Sequence, residues 1–369
     1  MAVLAVVGAV VVSAPPALGD GVRDAQWHLD FLKVGQAHRI SQGAGVTVAV
    51  LDSGVDARHR DLVGAVLPGR DFAILKARVP DGRTDLDGHG TAMAGLIAGR
   101  GHGSGGGVLG IAPKAKILPV RIHSTSSAVS SSTPQAIEWA VAQGAKVISM
   151  SFGGGTDREK EEAVQAALRA DVVLVAAVGN RPQVEKLQYP AAYPGVVAVG
   201  GVDRRGRHAA VSVTGRQVVL AAPAVDIMST MPGNRYEAAD GTSNATAIVA
   251  GAAALVRARF PRLSAAEVVH RLTATAVDRG ARGRDEQYGF GVLDPVAALT
   301  AQVPPLPSAS ASPSPSAPDW PPVSPPAAAP PGPDGRRWSA GVLLVGLGCL
   351  LLAAAGAATG GWLLLRRRG

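Results

Sequence analysis

Short apolar runs alternate with helix-like segments along most of the chain. Five runs rich in Val, Ile and Ala carry almost no polar position, which is typical of strands buried on both faces of a sheet. These predicted strands are residues 46–51, 117–122, 147–150, 172–177 and 196–199. A charged, alanine-rich segment at 158–169, between the third and fourth runs, has helical spacing. The alternation predicts an α/β fold, with a parallel sheet flanked by helices.

The ends of two further helices are marked by their capping residues. Thr133 and Pro134 offer an N-cap followed by proline at the first helical position, and Gly144 closes that helix. Ser264 and Glu267 have the spacing of a capping box, which predicts that a helix starts after Ser264.

The two ends of the chain differ from the middle. Residues 2–12 are almost wholly apolar and are followed by small residues and prolines, which predicts a signal peptide over 1–19. An uncleaved membrane anchor is the alternative interpretation of this segment. The predicted folded domain, 20–302, is followed by a linker rich in Pro, Ala and Ser over 303–337, whose composition favours an extended spacer.

A second long apolar segment lies near the C-terminus. Residues 338–365 carry no charge and exceed the roughly 20 residues that a membrane-spanning helix needs. Trp338 and Trp362 lie near its ends, where interfacial aromatic residues are common. The basic tail 366–369 contains three arginines, which predicts a cytoplasmic C-terminus and an extracytoplasmic folded domain.

Charge and cysteine content exclude two classes of site. The formal net charge is +8, but the cationic residues form no long block and have few aromatic neighbours, so nucleic-acid binding is not expected. The single cysteine, Cys349, permits neither an intramolecular disulfide nor a cysteine-based zinc site.

Three short motifs carry groups with catalytic chemistry. Asp52-Ser53-Gly54 follows the first predicted strand, His89-Gly90-Thr91 precedes a small-residue helix at 92–98, and Gly241-Thr242-Ser243 opens a long apolar helix at 244–260. Each alone has a plain structural interpretation: a turn, a bystander histidine and an N-cap serine.

Taken together, the three motifs predict acyl transfer by a serine nucleophile. Such chemistry needs a hydroxyl, a base that takes its proton, and a carboxylate that orients the base. Asp52, His89 and Ser243 supply these groups, each at a strand end or a helix start, where ligands bind in open α/β sheets.

These motifs resemble those of the subtilisin family over residues 27–299. Further segments also match the family's pattern, at 110–113, 148–154 and 175–180. The resemblance implies that Asp52 orients His89, that His89 is the general base and that Ser243 is the nucleophile. It also implies that Asn180 donates its side-chain amide to the oxyanion, although Gly-Asn is a common turn pair as well.

The same resemblance implies where a peptide substrate binds. The substrate is expected as an extended strand between 127–130, which contains Ser127, and 151–154, which contains Ser151, Phe152 and Gly153. Ala176, Ala177 and Val178 are expected to line the pocket for the residue before the scissile bond, with Gln188 near its floor. A cis peptide bond is expected between Tyr189 and Pro190.

The sequence departs from the family pattern in three places. Ala247 stands where the family usually has proline after the nucleophile, a change that the first turns of a helix tolerate. The loop 101–107, where many subtilisins bind calcium, contains no Asp, Glu or Asn, so no calcium is expected there; no other metal and no cofactor is expected either. Only about 30 residues separate the signal segment from Asp52, so no long inhibitory prodomain is expected.

The predicted architecture narrows the resemblance to the mycosins, the membrane-anchored proteases of type VII secretion systems. It implies a cell-membrane serine endopeptidase with one C-terminal transmembrane helix, whose partners are peptide or protein substrates and the secretion membrane complex. Mycosins commonly carry disulfides, which this chain cannot form. The alternative hypothesis is that the domain mainly stabilises a secretion complex, with proteolysis secondary or absent.

Overall fold

The fold was analysed in a computed structural model that describes residues 21–73, 80–123 and 132–306. The predicted signal peptide 1–19, membrane segment 338–365 and basic tail 366–369 lie outside the described residues, as do Ser127 and most of the linker 303–337. Within the described residues, no helix is long and apolar enough to cross a membrane.

The described residues form eleven strands and eight helices. The strands are β1 Thr47–Asp52, β2 Arg70–Asp71, β3 Arg100–His102, β4 Gly106–Leu109, β5 Lys116–Arg121, β6 Val147–Met150, β7 Val173–Ala177, β8 Val197–Val202, β9 Val218–Pro223, β10 Ile227–Met231 and β11 Arg235–Ala239. The helices are α1 Trp27–Phe31, α2 Val34–His38, α3 His89–Ala98, α4 Thr133–Ala142, α5 Arg158–Arg169, α6 Thr242–Arg259, α7 Ala265–Ala274 and α8 Pro295–Thr300.

Seven of these strands form one parallel sheet in the order β2-β5-β1-β6-β7-β8-β9. Two antiparallel hairpins, β3–β4 and β10–β11, lie outside it. The five predicted strands are all present with ends shifted by at most three residues, and the predicted parallel sheet is confirmed. Strands β2 and β9 and both hairpins were not predicted.

The sheet is buried on both faces because successive side chains of each strand point in opposite directions. On β1, Val48 and Val50 belong to a core shared with α3 and α6, whereas Ala49 and Leu51 pack with α4 and α5. Helix α6 is almost entirely buried and rich in Ala, so its backbone lies close to the sheet. Its residue Ala247 is fully buried.

The helix-end predictions are mostly confirmed. Helix α5 begins and ends where predicted, and Asp157 caps it by accepting the Lys160 N–H at 2.7 Å. The capping box of Ser264 and Glu267 is present. Helix α4 differs slightly, because Ser132 occupies the N-cap position and Thr133 is already helical.

One buried ion pair joins the edge strand β2 to β5. Arg121 Nη1 donates to Asp71 Oδ2 at 2.7 Å, and the two side chains are 2% and 0% exposed. A buried charge that loses its partner is costly, because desolvation is then uncompensated. The pair therefore constrains how the β2 segment sits on the sheet.

We expect Asp71→Asn to lower the free energy of unfolding by about 3–5 kcal/mol, the cost typical of breaking a buried pair. Urea denaturation checks this value. Glu162→Gln, which removes the partner of exposed Arg158, is the matched control and should leave the unfolding midpoint unchanged. Because a buried pair can often be replaced by apolar residues, Asp71→Leu combined with Arg121→Met should recover most of the loss. An Asp71→Asn variant as stable as the parent would contradict this interpretation.

Candidate active site

The candidate site lies at the carboxyl edge of the parallel sheet. Asp52 ends β1 and is 1% exposed, and Ala177 ends β7, three residues before Asn180. His89 is the first residue of α3, and Ser243 is the second residue of α6. These elements surround one cleft with a volume of about 530 Å³. Parallel strands place their carboxyl ends at one edge, which brings together residues far apart in sequence.

Asp52 and His89 are directly hydrogen-bonded. His89 Nδ1 lies 2.8 Å from Asp52 Oδ1 and 2.9 Å from Oδ2. An ionised carboxylate only accepts, so Nδ1 carries the proton and the neutral ring has its lone pair at Nε2. The Ser53 N–H also donates to Asp52 Oδ1 at 2.8 Å. The carboxylate therefore fixes both the ring orientation and the tautomer of His89.

The two groups shift each other's pKa in opposite directions. Burial alone would raise the pKa of Asp52, but the charge and hydrogen bond of His89 outweigh burial and lower it. Burial alone would lower the pKa of His89, but the Asp52 carboxylate, with smaller contributions from the charges of Asp87 and Asp85, outweighs burial and raises the pKa to about 9. The pair favours a positive imidazolium, the form that appears when a base accepts a proton.

Ser243 lines the same cleft but is hydrogen-bonded elsewhere. Its Oγ donates to the Ser151 carbonyl at 3.2 Å, and no Ser243–His89 hydrogen bond is present among the described residues. Ser151 Oγ donates to the Ser243 carbonyl in return, also at 3.2 Å. Helix α6 starts at Thr242, with Gly241 as its N-cap. Ser243 is therefore the second residue of the helix, and the alternative in which it serves only as an N-cap serine is wrong.

Asn180 is held with its amide nitrogen free to donate. Its Oδ1 accepts from both the backbone N–H and the hydroxyl of Thr242, each at 2.9 Å. Because a backbone N–H can only donate, this contact assigns the oxygen side of the amide. Asn180 lines the cleft, and its Nδ2 has no acceptor among the described residues.

The predicted substrate-binding residues divide into three groups. Ser151, Phe152, Gly153, Ala177 and Gln188 line the cleft, whereas Ser127 lies outside the described residues. The expectation that Ala176 and Val178 line it needs correction, because both are fully buried in the core with α4 and α5. Side chains alternate along β7, so the neighbours of Ala177 face away from the cleft.

The segment 151–154 is also partly occupied by the protein itself. The Gly154 N–H donates to the Tyr189 carbonyl at 2.9 Å, and the Tyr189 N–H donates back at 3.1 Å. Gly154 is therefore already paired with Tyr189, whereas Ser151, Phe152 and Gly153 line the cleft. The Tyr189–Pro190 bond is cis, as predicted, and Arg181–Pro182 is cis as well.

Asp85 organises the start of α3 and was not predicted from the sequence. Its buried carboxylate accepts five hydrogen bonds between 2.6 and 3.1 Å. The donors are the Ser53 hydroxyl, the backbone N–H groups of Asp87, Gly88 and Thr91, and the Thr91 hydroxyl. Ser53 Oγ in turn accepts the Gly90 N–H at 2.9 Å. Asp85 thus joins the end of β1 to the helix that carries His89.

Two more features of this region were not predicted. A Cβ at Gly90 would clash with the Gly54 carbonyl, so only glycine lets α3 approach β1 this closely. His123, 4% exposed, lines the cleft just after β5, and a positive charge on it would lower the pKa of Asp52. The sequence did contain a signal for His123, because this residue directly follows the predicted strand 117–122 and the carboxyl ends of parallel strands meet at one edge of the sheet.

The loop for which no calcium was expected forms the turn of the β3–β4 hairpin. The fully buried Asp61 carboxylate faces it and accepts from His102 Nδ1 at 2.6 Å and from the Val108 N–H at 2.7 Å. Among the described residues, no group of three His, Cys, Asp or Glu side chains is arranged to hold a metal ion.

Comparison with known proteins defines the class of this molecule. The profile of the subtilase family matches residues 43–291, so the chain belongs to the subtilase family. The family match and the similarity to known subtilisins and mycosins identify the chain as a subtilisin-like serine endopeptidase.

Its similarity extends to individual relatives. Subtilisin DY of Bacillus licheniformis is 37% identical over 262 residues, which cover 70% of this chain and 92% of that protein. Mycosin-1 of Mycobacterium tuberculosis is 35% identical over an alignment of 409 residues that covers 94% of this chain and 88% of the relative. A solved structure of MycP1, described as a serine protease and an essential component of the type VII (ESX-1) secretion system, superposes with a TM-score of 0.66. It is 33% identical, and the match covers 78% of this chain and 91% of that one.

The raised pKa of His89 predicts its behaviour in a titration. We expect NMR to show His89 titrating near pH 9 in the parent, and Asp52→Asn to lower its pKa, because burial is then opposed only by the weaker effects of the Asp87 and Asp85 charges. Asp24→Asn, which removes an exposed carboxylate, should leave the titration unchanged. A His89 pKa that does not move in Asp52→Asn would overturn the assigned cause.

The hydrogen bonds of Asp85 predict a defect in turnover. An asparagine at position 85 keeps one acceptor oxygen but replaces the other with a donor, so it cannot hold both groups of N–H donors. We expect Asp85→Asn to lower kcat by about tenfold to a hundredfold through displacement of His89, with little change in KM. Asp81→Asn, in the same loop but in an exposed pair with Arg83, should keep the parent kcat. Equal kcat values for the parent and Asp85→Asn would refute this role.

Proposed function

We propose that the chain hydrolyses peptide bonds with Ser243 as nucleophile, His89 as general base and Asp52 as the group that orients and stabilises His89. The observation that carries the proposal is the pair of contacts from His89 Nδ1 to the Asp52 carboxylate, in a cleft that Ser243 also lines. When the His89 ring is neutral, this contact leaves the lone pair on Nε2, which is the nitrogen available to a hydroxyl.

The first chemical step needs a rotation of the Ser243 side chain. Rotation about its Cα–Cβ bond takes Oγ from the Ser151 carbonyl toward His89. Oγ then attacks the substrate carbonyl carbon while its proton moves to Nε2. The imidazolium that forms is stabilised by Asp52, whose carboxylate already raises the pKa of this ring.

The carbonyl oxygen becomes an oxyanion in this step. The Asn180 amide donates one hydrogen bond to it, because Thr242 holds the other end of that amide. The Ser243 N–H lies in the first turn of α6, where backbone donors have no partner within the helix, and it supplies a second.

Collapse of the tetrahedral intermediate completes the acyl transfer. The C–N bond breaks, and the imidazolium of His89 gives its proton to the leaving amine. Water then attacks the ester on Ser243, with His89 again accepting a proton, which releases the acid product and regenerates the hydroxyl. The backbone of 151–153 pairs with the acyl side of an extended substrate, and Ala177 borders its pocket.

The proposal includes a place at the membrane. Residues 338–365 form the transmembrane helix, the catalytic domain is extracytoplasmic, and the enzyme works with a type VII secretion complex. An uncharged segment followed by three arginines supports the topology. Two similarities support the association with secretion. The mycosin-1 alignment covers 94% of this chain and so extends beyond 43–291, and the similar MycP1 is itself a component of a type VII system.

Substitution of Ser243 tests the enzymatic proposal. We expect Ser243→Ala to reduce kcat on a cleaved peptide by about four to six orders of magnitude, because only oxyanion stabilisation and binding remain. The matched control is Ser264→Ala, which removes a capping hydroxyl on α7 at a stability cost of about 1 kcal/mol and should retain kcat. Retained hydrolysis in Ser243→Ala would exclude Ser243 as nucleophile.

The same variant separates proteolysis from a structural role in secretion. In a strain lacking the gene, Ser243→Ala should restore the secretion complex while leaving a secreted substrate uncleaved, because the substitution removes one oxygen and preserves the surface. The termini of secreted proteins, read by mass spectrometry, report the cleavage. Full restoration with normally processed termini would show that proteolysis by this chain is dispensable.

A further inference from the structure

The cleft has a charge opposite to that of the chain. The sequence carries a formal net charge of +8, yet the described residues that line the cleft include three carboxylates and no Lys or Arg. These carboxylates belong to Asp87, Glu237 and Asp240. The Asp52 carboxylate offsets a positive charge on His89, so these three acids leave the lining net negative. A net negative cleft concentrates cationic ligands, so the charge of the lining bears on the choice of substrate.

Two of the three acids lie close to the nucleophile along the chain. Glu237 is on β11, and Asp240 lies between β11 and Gly241, the N-cap of α6. Both residues are exposed. The Glu237 side chain has no hydrogen bond or ion pair among the described residues, and Asp240 accepts one, from the Asp226 N–H at 2.6 Å. Within the described part of the chain neither carboxylate is neutralised by a cation, so both present negative charge to a ligand.

Two arginines close to these carboxylates along the chain or in the fold make their contacts outside the cleft. Arg235, on the same strand as Glu237, donates its Nε to the Pro232 carbonyl at 3.1 Å. Arg204 pairs with Asp226. Neither arginine lines the cleft.

The hairpin that carries Glu237 lies on the His89 side of the cleft. A Cβ added at Gly88, the residue before His89, would come within 2.5 Å of Met231 Cε on β10. Thr230 Oγ1 donates to the Thr91 carbonyl of α3 at 2.7 Å. Ser151, in contrast, exchanges hydrogen bonds with Ser243 from the end of β6.

This placement relates the acids to one side of the scissile bond. In serine acyl transfer, the histidine hands its proton to the leaving amine, so the leaving peptide lies on the histidine's side of the serine. The β10–β11 hairpin and its carboxylates therefore border the residues that follow the scissile bond. The acyl side of the substrate is bordered by 151–153 and Ala177 instead.

We propose that Glu237 and Asp240 select substrates with Lys or Arg among the first few residues after the scissile bond. This inference rests on the proposed function, since it assigns specificity to the same catalytic cleft. Exposed ion pairs are weak, so each carboxylate should contribute about two- to fivefold in kcat/KM. The preference should shrink as added salt shortens the range of the interaction.

The test uses the full-length protein in detergent and a peptide library. The library first identifies one sequence that the parent cleaves and Ser243→Ala does not. Three versions of that peptide are then made, with Lys, Gln or Glu at the second position after the cut and no other change. We expect kcat/KM to fall in the order Lys, Gln, Glu, with a Lys-to-Glu ratio of about ten or more at low salt.

Charge variants assign the preference to the two acids. Glu237→Gln combined with Asp240→Asn should bring the Lys-to-Glu ratio close to one, and Glu237→Lys combined with Asp240→Asn should invert it. Glu161→Gln, an exposed acid on α5 that does not line the cleft, is the matched control and should keep the parent ratio.

The outcomes separate the specificity proposal from the proposed function. If the parent cleaves no library peptide in a Ser243-dependent way, the proposed function fails. If it cleaves the three versions equally, or if the double variant keeps the parent ratio, the assignment of specificity to Glu237 and Asp240 is overturned while the proposed function stands.

Discussion

The hydrogen-bonded contact between the Asp52 carboxylate and His89 is the interaction on which the rest of the site depends. Asp52 ends a strand that is buried on both faces, and a charge in such a place is costly unless it is paired. Pairing requires the start of α3 to lie directly against the end of β1. The Asp85 hydrogen bonds and the absence of a side chain at Gly90 allow that approach. The groups that hold the fold together here are the same groups that fix the orientation of His89.

The other side of the cleft is organised by the first turn of α6. Thr242 holds the oxygen of the Asn180 amide, and its neighbour Ser243 presents both a hydroxyl and a backbone donor. Helix α6 reaches the sheet edge because its small buried residues let it pass close beneath the strands. Preorganised donors of this kind need no rearrangement as negative charge develops, which is why they are effective in catalysis. The β10–β11 hairpin adds a negative rim on the side of His89, so one cleft combines fixed donors with an acidic border.

Particular residues show how far sequence reasoning reached. The strand ending at Asp52 was predictable because strands buried on both faces are continuously apolar, and this pattern is visible in the sequence itself. Strand β9 was missed because its Val-Val-Leu-Ala-Ala-Pro run ends in proline, a residue uncommon within sheets. The family resemblance implies that Ala176, Ala177 and Val178 line the pocket together, whereas the pleat of a strand sends neighbours to opposite faces, and of the three Ala177 lines the cleft.

The sequence alone determined the fold class and the order of the motifs that contain Asp52, His89 and Ser243, the groups proposed to carry acyl transfer, because each depends on local pattern and residue type. The tertiary structure alone decided which distant groups meet. It joined Asp85 to Ser53, turned the Asn180 amide toward the cleft, and placed Glu237 in the same cleft as His89. The physical reason is one of range. Hydrophobic pattern and turn chemistry act within a few residues, so they can be seen in the sequence. Strand pleat, helix packing and hydrogen-bond geometry fix the direction of a side chain only in the folded protein.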